Sequence, residues 1–134
     1  MAQTTTVLNF LFFTLTCHAS ELFIGGDMNL VLDPSKDRSS SNPKTLPQAA
    51  KTLKKEIADF KLVDVWSKKH KSVREYSFYS HAHKSYSRID LLLTHADSFH
   101  LISSCEYLAM THSDHAPLML QMAQKNATGS CRLW

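Results

Sequence analysis

Glycine, proline and cysteine are all scarce in this sequence. Three Gly and four Pro in 134 residues exclude a collagen-like chain or a flexible linker. The cysteines, Cys17, Cys105 and Cys131, are too few and too scattered for a disulfide scaffold, and no CxxC or paired Cys/His spacing typical of a zinc site occurs. Because apolar residues make up 43% and charged residues 20% of the chain, we expect one globular domain or part of one.

The first twenty residues lack charged side chains, and their apolar run is too short to span a bilayer in the usual way. This run, Val7 to Cys17, is similar to the hydrophobic region of a signal peptide, and Cys17-His18-Ala19 offers a cleavage site, although no Lys or Arg precedes it. A buried amphipathic helix is the second interpretation, supported by helical spacing at Leu8, Phe12, Leu15 and Ala19. An unrelated start fused to an older coding segment is the third.

Positive charge is concentrated between Lys36 and Arg74, where eleven Lys or Arg residues stand against four Asp or Glu residues. The formal net charge of the whole chain is only +3, so this segment is much more basic than the rest. A basic segment of this kind contacts phosphates in some proteins and is an ordinary solvated surface in others. Composition alone favours neither interpretation.

Hydrophobic patterns in the first half of the chain predict one strand and one helix. Leu22-Phe23-Ile24 is a short apolar run that Gly25-Gly26 stops, as in a buried strand that ends in a tight turn. The polar segment Asp33–Pro47 is predicted to be a loop. A helix is predicted to begin at Pro47 and to pack against a sheet through Leu53, Ile57 and Phe60.

The second half of the chain is predicted to contain several strands. Tyr76–Tyr79 alternates aromatic and small residues, and Ile89–Leu93 is a continuous apolar run typical of a central strand. These two strands are predicted to form a hairpin across a turn at His81–Lys84. Two further strands are predicted within Ser104–Met110 and His115–Met122. Strands that alternate with one clear helix predict a mixed α/β architecture.

Acidic side chains occur at the ends of two predicted strands. Asp27 follows the glycine pair and precedes Asn29 by two residues, a pair suited to holding a water or a phosphate oxygen, or to ordinary turn formation. Asp90 lies at the start of the apolar run, where an unpaired carboxylate is costly to bury. It therefore needs a partner, either a His whose tautomer it would determine or a structural partner such as Arg88 or backbone amides.

The segment THSDHAPL contains an Asp-His pair immediately before another predicted strand. Asp114 is suited to a hard cation such as Mg²⁺ and His115 to a phosphate oxygen, although an Asp-His pair in a loop also serves as a cap or a turn. His81 and His83 have no Cys or acid at metal-ligand spacing, which excludes a zinc site there.

The motifs GGDMN, YSFYS to SYSRIDLLL, and THSDHAPL, in this order, make the sequence resemble the C-terminal half of the endonuclease/exonuclease/phosphatase superfamily. This superfamily includes deoxyribonuclease I and the apurinic/apyrimidinic endonucleases. Within it, the sequence most resembles the endonuclease domain of LINE-type, non-LTR retrotransposons, over about Leu22 to Met122. The resemblance implies an α/β (α+β) fold, namely the truncated C-terminal half of a four-layered α/β/β/α sandwich of the deoxyribonuclease I-like type.

We therefore divide the chain into an apolar segment at residues 1–20, a partial domain at residues 21–122 and a tail at residues 123–134. The resemblance implies that this domain derives from a Mg²⁺- or Mn²⁺-dependent DNA endonuclease. The implied location is nuclear or cytoplasmic, or extracellular if residues 1–19 act as a signal peptide. The implied partner is DNA, bound weakly and without specificity, and no membrane association is expected.

Site roles follow from the same resemblance. Asp27 is implied to be the general base that prepares water, and Asn29 to position that water. His115 is implied to stabilise the charged transition state at the phosphate, with its imidazole oriented by Asp90. Asp114 is implied to be a metal ligand, and Ser113 to be a phosphate contact. Ser77 is implied to be a small hydroxyl near the DNA.

The sequence departs from the superfamily pattern in one respect. The N-terminal half of the superfamily supplies an Asn, a Glu that is a principal metal ligand, and a catalytic Tyr, whereas Asn9 and Glu21 here lie in no matching motif. Because the remaining carboxylates do not complete a hard-cation site, Mg²⁺ binding is expected to be weak and the chain to be catalytically inactive alone. The alternatives are a non-catalytic nucleic-acid-binding remnant and a non-functional product of a decayed mobile element.

Overall fold

The structure is a computed structural model that describes residues 21–40 and 45–123 in full and residues 3–8 and 13–16 by their backbone. Its strands are β1 (Gln3–Leu8), β2 (Phe13–Thr16), β3 (Leu22–Asp27), β4 (Leu62–Asp64), β5 (Phe78–Ser80), β6 (Ser85–Ser87), β7 (Asp90–His95), β8 (Ile102–Tyr107) and β9 (Leu118–Ala123). Its helices are α1 (Pro34–Asp37), α2 (Gln48–Asp59) and α3 (Val65–Lys69), with a 3-10 helix at Ala96–Leu101. Strands and helices are thus interleaved along the chain, as the sequence predicts.

The described strands form two larger antiparallel sheets and a separate hairpin. One sheet has the strand order β2-β3-β7-β4, the other has the order β1-β9-β8, and β5 pairs with β6. Both larger sheets and α3 contribute to one apolar cluster, so they pack on each other. The buried members of this cluster are Phe23, Val65, Trp66, Leu92, Ile102, Cys105, Tyr107, Ala116, Leu118 and Leu120.

The pairing of β3 with β7 brings two of the sequence motifs together. Its antiparallel register places Asp27 directly opposite Asp90. Beyond the strand ends, the Met28 amide donates to the Ile89 carbonyl at 2.9 Å. The buried side chains of Leu91, Leu92 and Leu93 confirm the central strand that the apolar run predicts.

The predicted hairpin between Tyr76–Tyr79 and Ile89–Leu93 is wrong. β5 turns back to pair with β6, in a register that places Phe78 opposite Ser87. β7 pairs instead with β3 and β4. The reason is that the short polar segment Ser85–Ser87 supplies the nearer antiparallel partner, which leaves the apolar run available for burial in the larger sheet.

Helix α2 begins after Pro47, as predicted, and its buried residue is Ala50, which is fully buried. Leu53 and Ile57 are half-buried. The predicted packing of Phe60 is wrong, because 66% of this residue is exposed. The helix ends at Asp59, and Lys61 adopts a left-handed backbone with φ of 53°, so Phe60 leaves the apolar face of the helix.

The predicted loop at Asp33–Pro47 is wrong at its start, where α1 forms. Asp33 accepts a hydrogen bond from the Ser35 amide and caps this helix, and Pro34 occupies its first position. The two strands predicted near the C-terminus are present, with bounds shifted to those of β8 and β9.

The N-terminal segment is extended where the structure describes it, with β1 paired to β9 and β2 paired to β3. The amphipathic-helix interpretation is therefore wrong for residues 3–8 and 13–16. The signal-peptide features at residues 17–19 and the tail beyond Ala123 lie outside the described residues, and the domain division stays a prediction. Within the described ranges, no helix is long and apolar enough to cross a membrane.

Candidate functional site

Two carboxylates flank one imidazole at the edge where β3 and β7 meet the segment that follows β8. His115 Nδ1 lies 2.9 Å from Oδ2 of Asp90, and His115 Nε2 lies 3.9 Å from Oδ2 of Asp27. One side-chain atom from each of the three residues lies within 4.8 Å of the others. Because an ionised carboxylate only accepts hydrogen bonds, Asp90 places the proton on Nδ1 and leaves Nε2 directed toward Asp27.

Asp90 is fully buried, whereas the Asp27 side chain is 39% exposed. Burial raises the pKa of Asp90, and the neighbouring charge of Asp27 raises it further. Hydrogen bonds from Ser77 and His115 lower this pKa but only partly offset the effect of burial. The ionised form of Asp90 is therefore less favourable here than in water, and its Oδ1 atom has no hydrogen-bond partner among the described residues.

Ser77 lies beneath Asp90 and not in the cleft. It is fully buried, and its hydroxyl oxygen accepts hydrogen bonds at 3.0 Å from the amides of Ile89 and Asp90. Its backbone is paired as well, since the Ala116 amide donates to the Ser77 carbonyl at 2.7 Å. The predicted contact of Ser77 with DNA is therefore wrong, because the residue supports Asp90 from below and has no exposed surface.

The segment that carries His115 is attached to the outer edge of the β5–β6 hairpin. The Tyr79 amide donates to the Asp114 carbonyl at 2.9 Å, and Phe78 forms an isolated β-bridge with His115. The rings of Phe78 and His115 also touch, with centroids 4.8 Å apart. Within the segment, the His115 amide donates to Ser113 Oγ at 3.1 Å. Backbone and ring contacts thus hold the imidazole in position.

Asn29 is next to Asp27 in space because the chain turns tightly after β3. Its backbone is left-handed, with φ of 51°, and its amide donates to Oδ1 of Asp27 at 2.7 Å. Asn tolerates this backbone conformation better than most residues. Gly26 has φ of 146°, in a region that favours glycine. Asn29 and Asp27 are both exposed, so the two side chains are accessible next to each other in the turn.

Asp114 and Ser113 are exposed on the segment beside His115, and Ser113 Oγ donates to Oδ1 of Asp114 at 3.3 Å. Among the described residues, the cluster of possible metal ligands contains Asp27, Asp90 and His115, and it does not include Asp114. Mg²⁺ prefers about six oxygen ligands. Since Asp90 is already bonded to an imidazole, the residues described here do not fit a complete Mg²⁺ site.

A buried ionic cluster next to the site is absent from the sequence-based predictions. Arg88 is 1% exposed and pairs with Asp37 at 2.8 Å and with Asp64 at 2.6 Å. Its guanidinium also lies over the Trp66 ring, 5.2 Å from the centroid. The interpretation that Arg88 is the structural partner of Asp90 is therefore wrong. Asp64 caps α3 through the Ser67 amide, so the cluster joins α1 and α3 to the start of β7.

Comparisons with known proteins found a relative in sequence and several structures of similar fold. The sequence is 31% identical over 118 residues to the Transposon TX1 uncharacterized 149 kDa protein of Xenopus laevis, an alignment that covers 84% of this chain and 9% of that protein. No protein-family model matches the chain.

Three solved structures have a similar fold. AP endonuclease LMAP from Leishmania major superposes with a TM-score of 0.68 and 16% identity, over 77% of this chain and 35% of that one. An AP endonuclease from Archaeoglobus fulgidus superposes with a TM-score of 0.63 and 26% identity, over 77% of this chain and 46% of that one. The 3' phosphatase NExo from Neisseria, bound to a product DNA hairpin, superposes with a TM-score of 0.60 and 18% identity. This alignment covers 80% of this chain and 47% of that one. The chain thus spans less than half the length of each of these structures.

Proposed function

We propose that this chain carries the water-activating and phosphate-contacting residues of a DNA phosphodiesterase site of retrotransposon origin. By its fold, the chain belongs to the endonuclease/exonuclease/phosphatase superfamily. We also propose that it does not cleave DNA by itself. The observation that carries the proposal is the contact between Asp90 and Nδ1 of His115 at 2.9 Å, with Asp27 beside the other ring nitrogen. A buried acid behind an imidazole determines its tautomer and stabilises its charged form.

The proposed roles follow from the exposure of each group. Asp27 is exposed and adjacent to Asn29, so it accepts a proton from a water that Asn29 positions. His115 contacts a phosphoryl oxygen through Nε2 and stabilises the negative charge that develops there. Asp90 touches the imidazole and not the substrate, so it is a positioning residue. Ser113, exposed on the same segment, adds a phosphate contact.

The proposed lack of cleavage follows from the carboxylates available among the described residues. Asp90 is bonded to His115, and Asp27 is needed as the base. Asp114 remains as the ligand proposed for Mg²⁺ or Mn²⁺, and one carboxylate holds such a cation weakly. Without a firmly bound cation, the charge on the phosphate in the transition state is poorly neutralised.

DNA is the proposed partner, bound weakly and through phosphate contacts. Several Lys side chains on the surface of α2 are exposed, namely Lys51, Lys54 and Lys55, although Lys55 forms an ion pair with Asp59. Lys36 is engaged instead, because its ammonium group donates to the His70 carbonyl at 2.9 Å. Binding that depends on such lysines should weaken as salt concentration rises. This surface also supports the second candidate function, a nucleic-acid-binding module without catalysis.

Imidazole NMR of the full chain tests the proposed site. On titration with a thymidine dinucleotide, which contains one phosphodiester, we expect the His115 signals to shift and those of exposed His100 to stay unchanged. Unchanged His115 signals, together with retained duplex binding, would reject the active-site proposal and favour the second candidate.

Nicking of supercoiled plasmid in Mg²⁺ tests the proposed inactivity. We expect no nicking above the level given by His115→Ala. Clear nicking that this substitution abolishes would contradict the proposal that the chain is inactive alone.

A further inference from the structure

The hydroxyl of Tyr107 connects one of the two larger sheets to the strand of the other sheet that carries Asp90. Tyr107 is the last residue of β8 and is buried, and its hydroxyl donates to the backbone carbonyl of Asp90, the first residue of β7. Burial raises the pKa of Tyr107 well above its ordinary value of 10.0, although the charge of Arg88 lowers it. The phenol therefore keeps its proton and is the donor in this bond.

The backbone of Asp90 lacks a strand partner on one side among the described residues. Hydrogen-bonded and non-hydrogen-bonded pairs alternate along an antiparallel ladder. The Met28 amide bonds to the Ile89 carbonyl, so this pair is of the hydrogen-bonded kind. The next pair, Asp27 with Asp90, is therefore non-hydrogen-bonded, and the amide and carbonyl of Asp90 point away from β3. They point toward the side of β4, but β4 ends opposite Leu93.

Two side chains supply the bonds that a longer β4 would have made. Ser77 Oγ accepts from the Asp90 amide at 3.0 Å, and the Tyr107 hydroxyl donates to the Asp90 carbonyl. Buried backbone groups are costly to leave unpaired. Ser77 and Tyr107 thus anchor the first residue of β7 from both of its polar backbone groups.

Tyr107 also belongs to the sheet from which the His115 segment extends. The amide of the next residue, Leu108, donates to the Pro117 carbonyl at 2.8 Å, and Pro117 lies two residues after His115. The hydroxyl of Tyr107 therefore joins the sheet that holds the His115 segment to the strand that presents Asp90. It spans the two structural units whose relative position determines the contact between carboxylate and imidazole.

The ring of Tyr107 is held by its neighbours in the core. Its centroid lies 5.5 Å from that of Trp66, and both residues belong to the buried apolar cluster. The Arg88 guanidinium lies over the Trp66 ring in turn, 5.2 Å from the centroid. Aromatic pairs at such distances stabilise a fold beyond the effect of burial. The direction of the Tyr107 hydroxyl is thus determined by packing.

The carboxylate of Asp90 depends on where its backbone is held. Oδ2 lies 2.9 Å from Nδ1 of His115, whereas Oδ1 has no hydrogen-bond partner among the described residues. The unpartnered oxygen offers no second bond that would keep the carboxylate in place if the backbone moved. A displacement of the Asp90 backbone should therefore change the distance between Oδ2 and Nδ1.

We infer that Tyr107 is a positioning residue, whose hydroxyl holds the Asp90 backbone against the His115 segment and thereby keeps the imidazole proton on Nδ1. The inference rests on the proposed function, because the positioned imidazole is the group proposed to contact a phosphoryl oxygen through Nε2. Tyr107 is buried and acts through Asp90, so it makes no contact with DNA itself.

Tyr107→Phe tests the inference with the full chain, because it removes only the hydroxyl. Nitrogen-15 NMR of the imidazole rings at about pH 9, well above the ordinary pKa of His, reports which ring nitrogen carries the proton. We expect the Nδ1–H form of His115 to predominate in the parent. In Tyr107→Phe the ratio of the Nδ1–H form to the Nε2–H form should fall about fivefold, as expected for one lost hydrogen bond.

Two further variants separate positioning from a general loss of stability. Tyr76→Phe removes a hydroxyl that also donates to a backbone carbonyl, that of Arg38 at 3.4 Å, and should leave the ratio at His115 unchanged. Tyr107→Met also lacks the hydroxyl, and its side chain adapts to irregular core space, so it covers the case in which Tyr107→Phe does not fold. Cooperative urea unfolding shows that each variant is folded before the spectra are compared.

A ratio at His115 that is unchanged in folded Tyr107→Phe and Tyr107→Met would overturn the inference and leave the proposed function intact. An equal fall in Tyr76→Phe would overturn it as well, because the effect would not then be specific to the bond with Asp90. The proposed function fails separately, if the His115 signals of the parent do not shift with the thymidine dinucleotide. In that case a fivefold fall in Tyr107→Phe would still support the positioning of the imidazole.

Discussion

The imidazole of His115 donates from Nδ1 to Oδ2 of Asp90 at 2.9 Å, across 25 positions of sequence. On the other side of the ring, Asp27 lies 3.9 Å from Nε2. The imidazole thus lies between a carboxylate that is fully buried and one that is 39% exposed. Because the buried carboxylate has lost its water, it should respond to pH differently from an ordinary Asp.

Replacing Asp90 by Asn should change how the free energy of unfolding depends on pH. Burial raises the pKa of Asp90 above the ordinary value of 3.8. The native chain therefore binds this proton at higher pH than the unfolded chain does. The contribution of Asp90 to stability is greatest below about pH 4 and falls as the pH rises from there to the native pKa.

Urea unfolding of the parent and of Asp90→Asn at a series of pH values measures this effect. The free energy of unfolding of the parent relative to that of the variant should decrease between about pH 4 and the pKa of Asp90 in the native chain. Above that pKa the difference should stay constant. Curves that run parallel at every pH would show that Asp90 has the same pKa in both states.

Replacing Arg88 by Met should destabilise the fold by about 3–5 kcal/mol, because Asp37 and Asp64 would be left without their buried cation. Urea unfolding midpoints measure the change. The matched control is Arg74→Met. Because Arg74 is exposed, this substitution should change the free energy of unfolding by no more than about 0.5 kcal/mol. Equal midpoints for the two variants would contradict the energetic role of the ionic cluster.

Replacing Ser77 by Ala should lower stability by about 1–3 kcal/mol, because two buried backbone amides would lose their acceptor. Ser113→Ala is the matched control. As an exposed residue and a proposed phosphate contact, it should weaken DNA binding with little loss of stability. Thermal unfolding and fluorescence anisotropy are measured for both variants. A variant Ser77→Ala that unfolds like the parent and binds DNA less well would mean that Ser77 contacts DNA after all.

Replacing Ala50 by Asp should destabilise the domain by several kcal/mol, because it places an unpaired charge at the fully buried position of α2. Ala49→Asp, one residue earlier and exposed, should be neutral or slightly stabilising, since a negative charge in the first turn favours the helix. Urea unfolding compares the two. If Ala50→Asp were as stable as Ala49→Asp, α2 would not pack on the domain through this face.

Local patterns predict those elements that depend on neighbouring residues. The apolar runs predict β3 and β7, and Pro47 predicts the start of α2. Helix α1 is missed although Asp33-Pro34 is a cap followed by a Pro, because the polar composition of the surrounding segment favours a loop. The exposure of Phe60 is also missed, because helical spacing does not indicate where the helix ends.

Sequence by itself determined which residue types lie at the ends of the strands, and hence that Asp27, Asp90 and His115 are candidates for one site. Only the tertiary structure decided how the charges pair. Asp90 bonds His115, while Arg88 bonds Asp37, 51 positions away, and Asp64, 24 positions away. No local pattern specifies such partners, because a buried charge must pair with whichever opposite charge or donor the packed sheets bring beside it.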